Sequence, residues 1–76
     1  MEEIKITSDF IKLDQLLKFA NLVENGADAK FLVQNGFVSV DGEVETRRGR
    51  KLRGGEVVEI DYEGQNFSVK VIADKI

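Results

Sequence analysis

The chain has 76 residues and a mass of 8.5 kDa, enough for one domain around a single small core. Its 42% apolar and 33% charged residues, with a formal net charge of −3, are the balance of a folded globular protein. It contains no Cys, His, Pro or Trp, which excludes disulfide staples, thiolate zinc sites, cysteine nucleophiles and imidazole chemistry. No enzymatic activity, cofactor or metal is therefore expected. Uninterrupted apolar runs stop at three residues, far short of the ~20 of a membrane helix, so a cytoplasmic protein without membrane contact is expected.

Glu2 to Thr7 alternates polar and apolar residues and predicts a short half-buried strand, broken by Thr7-Ser8-Asp9. Leu13, Leu16, Leu17 and Ala20 then fall on one face of an amphipathic helix, with Asp14 in its first turn to complement the helix dipole. Asn21 to Gly26 interrupts that pattern. A second helix is predicted over 26–35, with Ala29, Leu32 and Val33 as its apolar stripe and Asn35-Gly36 as its left-handed stop. Helices this short are marginal alone, so their stripes must pack on each other and on a sheet.

After Gly36 the chain reads as strand. Phe37 to Val40 alternates, Asp41-Gly42 is a tight hairpin signal, and Glu43-Val44-Glu45 returns. A basic loop follows, closed by Gly54-Gly55. Val58, Ile60 and Tyr62 share one strand face, Glu63-Gly64-Gln65 turns, and Phe67, Val69 and Val71 line the returning strand. The expected fold is α+β, with two short helices packed on a small, mainly antiparallel sheet.

The charge is unevenly placed. Arg47, Arg48, Arg50, Lys51 and Arg53 give the segment from Thr46 to Gly55 five cations and no acid, while the rest of the chain holds six basic and fourteen acidic residues. Such a segment creates a directed positive field, and its guanidinium forks suit phosphate oxygens. The structural alternative is a solvated hairpin whose cations balance Glu43, Glu45 and Glu56. Gly49 and Gly54-Gly55 are turn residues and not a phosphate-binding loop, because no Lys-Ser or Lys-Thr follows at the required spacing. Lys12, opening the first helix, and Lys30, off the apolar stripe of the second, can join the loop on one face or stand as ordinary surface lysines.

The acids do not suggest catalysis. Glu43 with Glu45, and Glu59 with Asp61, are spaced to share an outward strand face, which reads as solvated surface. Asp41-Gly42-Glu43 lacks the further oxygen ligands of a calcium loop. Tyr62 and the five Phe residues are assigned to the core, leaving no aromatic platform for stacking bases.

An ordered set of residues carries a resemblance. Lys12-Leu13-Asp14-Gln15-Leu16-Leu17, then Ala29-Lys30, Val33, Gly36, Val38, Val40 and Gly42, and finally Lys51-Leu52 with Gly55-Glu56 before Val57, resembles the S4 (αL) RNA-binding domain. The match covers residues 12–60, and the stretch from Val40 to Leu52 is similar to small stand-alone S4-like proteins of bacteria. The resemblance implies one S4-like domain over residues 1–76 that binds structured RNA without catalysis. Its partners would be ribosomal RNA or ribosomal particles during ribosome assembly. Lys12 and Lys30 match the family's basic helix positions, and Arg47 to Arg53 its basic strand connection. Gly26 stands where many members have Arg, and Asp41-Gly42 where the turn is usually Asn-Gly. A monomer is expected. The alternative is a protein-interaction adaptor that docks its basic loop on an acidic partner.

Overall fold

The computed structural model describes residues 1–74. The elements are β1 (Glu2–Ile6), β2 (Ile11–Lys12), α1 (Leu13–Phe19), α2 (Gly26–Gln34), β3 (Val38–Val40), β4 (Glu43–Val44), β5 (Lys51–Leu52), β6 (Val57–Tyr62) and β7 (Gln65–Ala73). Five strands form a sheet in the order β1-β7-β6-β3-β4, and β2 and β5 form a separate two-stranded ribbon. All pairs are antiparallel except β1 with β7, where Ile4 lies beside Val71 and Ile6 beside Ala73. The expected α+β fold is thus the one found, with one parallel edge.

Strand alternation sets the core. Ile4, Ile6, Val38, Val40, Val58, Ile60, Val69 and Val71 point to one face of the sheet and are buried, whereas their neighbours face outward. Leu13, Leu16 and Leu17 of α1 and Ala29, Leu32 and Val33 of α2 close that face, and Leu52 joins them from β5. Each fully buried Leu contributes about 1.5–3 kcal/mol relative to exposure, so three from one seven-residue helix hold an element that would melt alone.

Both helices end in the same way. In α1 the N–H of Leu22 donates to Leu17 O and that of Asn21 to Lys18 O, with Asn21 at φ 59°. In α2 the N–H of Phe37 donates to Leu32 O and that of Gly36 to Val33 O, with Gly36 at φ 80°. These are Schellman stops, which satisfy the last carbonyls and turn the chain sharply back. At the start of α2, Asn25 Oδ1 accepts from the Asp28 N–H at 2.9 Å, an N-cap. The Asp41-Gly42 hairpin has positive φ at both residues, 53° and 85°, as a type I′ turn requires. Asp41 also accepts the Val57 N–H through Oδ1 at 2.9 Å, so the acid at this turn anchors the start of β6.

Four expectations need correction. The ribbon strands β2 and β5 were not foreseen, and the basic loop is in part a strand. Glu45 does not share an exposed face with Glu43: β4 ends at Val44, and Glu45 turns inward to be 6% exposed. Among the aromatic residues, Phe19, Phe31 and Phe67 are exposed and not core. Phe67 follows the alternation of Val69 and Val71 but lies near the turn of the β6–β7 hairpin, beyond the end of β1, whose pairing with β7 begins at Val69.

Candidate nucleic-acid interface

The ribbon gathers the basic residues. In the β2–β5 register Lys12 lies opposite Lys51 and Ile11 opposite Leu52. Leu52 is fully buried, so it pins β5 to the core while Lys51 and Arg53 on either side of it stay exposed. The loop before β5 docks on the N-terminus of α1: the N–H groups of Leu13 and Asp14 donate to the carbonyls of Arg50 (2.9 Å) and Arg48 (3.1 Å). Two of the helix's otherwise unpaired first N–H groups are satisfied by the backbone of the basic loop itself. A third bond, from the Lys12 N–H to Gln15 Oε1 at 3.3 Å, completes the junction.

Glu45 braces the loop from beneath. Its carboxylate accepts from the Arg47 N–H, from Arg47 Nε and Nη2, and from Arg50 Nη1, each at 3.1 Å. The bond from the Arg47 side chain lowers its carboxyl most; burial opposes this, and the Arg47 N–H and Arg50 reinforce it, leaving a pKa of about 2. Glu45 therefore stays ionised throughout the physiological range. Its side chain is 8% exposed, that of Arg47 76% and that of Arg50 33%, so the buried acid holds two guanidinium groups that still reach solvent. The balancing of loop cations by nearby acids is real, but only at this one carboxylate among those considered. Glu43 has no ion pair among the described residues, and Glu56 binds backbone, accepting the N–H groups of Arg53 (2.8 Å) and Gly54 (2.7 Å).

Close packing fixes the far side of the loop. A Cβ at Gly54 would stand 2.7 Å from Ala73 Cβ, and φ is +130° there, so only glycine fits. The Gly55 N–H donates to Val71 O at 2.7 Å, which ties the loop to β7.

Phe10, expected in the core with the other Phe residues, lies instead beside the cations of the ribbon. Lys51 Nζ lies 4.8 Å from the centroid of its ring and the Arg53 guanidinium 5.9 Å away. The ring supports both cations and limits the conformations of their long side chains. Its position just before Ile11-Lys12 was the available signal, but that becomes meaningful only when β2 is known to pair with β5.

The structure thus brings together Lys12, Arg47, Arg48, Arg50, Lys51 and Arg53 around the ribbon and the N-terminus of α1. Lys30 is exposed on α2, which packs on α1, and no hydrogen bond or ion pair among the described residues joins it to the ribbon. Chemically, the ribbon is a fixed array of cations and guanidinium donors suited to several phosphates of one backbone. Among the described residues no group of three or more His, Cys, Asp or Glu side chains converges to hold a metal, and no helix is long and apolar enough to cross a membrane.

Comparison with known proteins agrees with this architecture. The probable ribosome maturation protein RlbA of Bacillus subtilis is 43% identical over 58 residues, covering 76% of this chain and 82% of that protein. The putative RNA-binding protein YbcJ of Escherichia coli is 40% identical over 63 residues, covering 83% and 84% respectively. The solution structure of YbcJ, described as revealing an αL motif involved in RNA binding, superposes with a TM-score of 0.67 at 35% identity, over 96% of this chain and 89% of that one. The S4 domain family model matches residues 4–70, beyond the span expected from individual motifs. With the fold, the relatives and the family model in agreement, the chain belongs to the S4 domain family.

Proposed function

We propose that this protein is a non-enzymatic, monomeric, cytoplasmic RNA-binding domain whose whole chain acts as one S4-like unit. It grips structured ribosomal RNA during ribosome assembly. The observation that carries this reading is the ribbon: cations scattered from Lys12 to Arg53 in sequence are held on one rigid support. RlbA and YbcJ, named for ribosome maturation and RNA binding, support the choice of ligand. Lys12, Arg48, Lys51 and Arg53 present charge that no carboxylate neutralises among the described residues. Arg47 and Arg50 offer donors held in place by Glu45. Lys30 contributes from α2 as an isolated charge.

The mechanism is electrostatic capture, with phosphate contacts setting register and little reading of bases. Lys51 and Arg53 occupy the surroundings of the Phe10 ring, so that ring supports cations and does not stack on bases. An RNA whose phosphates are already arranged by its fold suits such a surface better than a flexible strand.

The test measures affinity for a ribosomal RNA hairpin and for an unstructured strand of equal length, across a salt series. With about four phosphates neutralised, affinity falls by about two decades between 50 and 200 mM salt. Replacing Lys12, Arg48, Lys51 and Arg53 together with Gln removes most of the binding and of the salt dependence, while the circular dichroism spectrum is retained. Arg47 and Arg50 are left intact because their bonds to Glu45 are structural. A folded quadruple variant that binds as tightly as the parent overturns the assignment. Preference for the unstructured strand overturns the proposed mode of gripping. Association with ribosomal particles that survives nuclease treatment favours the acidic-protein adaptor instead.

A further inference from the structure

A second concave surface lies away from the ribbon. A cavity of about 320 Å³ opens between the α1–α2 connection, α2 and the end of β6, with Leu22, Phe31, Leu32 and Tyr62 as apolar lining and Glu24 and Asp28 as its charged residues. Its position follows from the local structure. The Schellman stop of α1 delivers Leu22, Asp28 occupies the first turn of α2 with Phe31 one turn later, and Tyr62 ends β6.

The aromatic wall is fixed. Phe31 meets Tyr62 edge-on at 5.8 Å, Phe37 meets Tyr62 at 4.7 Å, and Phe31 lies over Phe37 at 6.0 Å. Phe31 nevertheless remains 47% exposed, an apolar surface braced by its ring neighbours and left uncovered among the described residues. The charged residues that line the cavity are all of one sign. Among the described residues no Lys or Arg lines it, and neither Glu24 nor Asp28 has an ion pair. The neighbouring Glu63 carboxylate pushes the Tyr62 hydroxyl above its ordinary pKa, so the phenol stays protonated.

An acidic rim repels phosphate, so RNA is not the occupant. A small cation would satisfy the carboxylates but leave the apolar wall unmatched. A basic protein segment with one large apolar side chain uses both: the side chain fills the cavity and flanking Lys or Arg meet Glu24 and Asp28. We propose that this cavity docks such a basic segment of a partner protein.

Both surfaces can be occupied together. The ribbon lies at the N-terminus of α1 and the cavity beyond its C-terminus; likewise β6 starts beside Gly55-Glu56 and ends at Tyr62, roughly 17 Å along the strand. The proposal does not depend on the ligand of the ribbon.

The test titrates the full-length, ¹⁵N-labelled protein with a short peptide that carries one central Leu flanked by Lys and Arg. Saturable shifts are expected for the amides of Leu22, Asp28, Phe31 and Tyr62. Affinity should fall about tenfold when the peptide's Leu becomes Ser, and severalfold when the protein carries Glu24→Gln with Asp28→Asn. The double variant should keep a dispersed spectrum and unchanged affinity for the RNA hairpin. Absence of shifts at the cavity, or equal affinity for the Ser peptide, overturns the proposal. So do equal shifts with tetramethylammonium, which mark a small-cation site, and concentration-dependent shifts without peptide, which mark a second copy of this chain.

Discussion

Replacing Glu45 with Gln isolates the brace beneath the basic loop. The carboxylate accepts four hydrogen bonds, but these are unequal. The two from the Arg47 guanidinium come from a side chain 76% exposed, which finds water readily and contributes little. The bonds from the Arg47 N–H and from Arg50, whose side chain is 33% exposed, are charge-assisted and worth about 0.5–1.5 kcal/mol each. Gln keeps one acceptor and turns an amide donor toward the remaining guanidinium, so the expected loss is about 2 kcal/mol, or close to 2 M in urea midpoint for a domain of this size. The sign with pH follows from the depressed carboxyl. Because the folded-state value is about 2 against an ordinary 4.5, the contribution is complete above about pH 4.5 and is lost as pH falls toward 2. Urea titrations of parent and variant should therefore differ most near neutrality and converge on acidification. Equal midpoints near neutrality would refute the brace, and so would a gap that persists undiminished to about pH 2.

Gly54→Ala forces a Cβ into Ala73 at φ +130° and should cost about 2–4 kcal/mol in denaturation experiments. Gly42→Val meets open space and carries only the strain of φ +85°, so about 1–3 kcal/mol is expected; a larger cost than Gly54→Ala would contradict the packing described. Phe10→Leu keeps an apolar side chain but removes the ring beneath Lys51 and Arg53. It should weaken RNA binding about two- to fivefold with nearly the same salt slope, since no charge is lost. A slope reduced as much as by Lys51→Gln would show that the ring acts through something other than the placement of those cations.

Periodicity made much of this fold legible. Three-residue and four-residue spacings marked Leu13, Leu16, Leu17 and the stripe of α2, alternation marked β1, β3 and the core face of β6, and Asp41-Gly42 marked its turn. Strands of two residues leave no period, which is why β2 and β5 stayed hidden and why the basic segment read as an open loop. Glu45 was misplaced for a related reason: one residue past the last paired position, the strand's alternation no longer determines where a side chain points. The spacing Glu45, Arg47, Arg50 contained the signal for an acid clasping two guanidinium groups, but only a turn bringing all three together realises it. Phe31 and Phe19 show the opposite limit. Hydrophobicity gives a residue a preference for burial, and in a chain this short the core is filled before every ring is covered.

The parallel pairing of β1 with β7 governs when the protein becomes competent during its synthesis. β7 separates β1 from every other strand of the sheet, so Ile4 and Ile6 have no strand to pair with until β7 has been made. The same late strand supplies Ala73 against Gly54 and the carbonyl that receives the Gly55 N–H. Folding is therefore dominated by long-range closure and is expected to be slow for so small a chain. A nascent chain lacking β7 keeps the bonds from the start of α1 and from Glu45 within reach but lacks the loop's far anchor. The loop's anchorage on its far side therefore waits for β7.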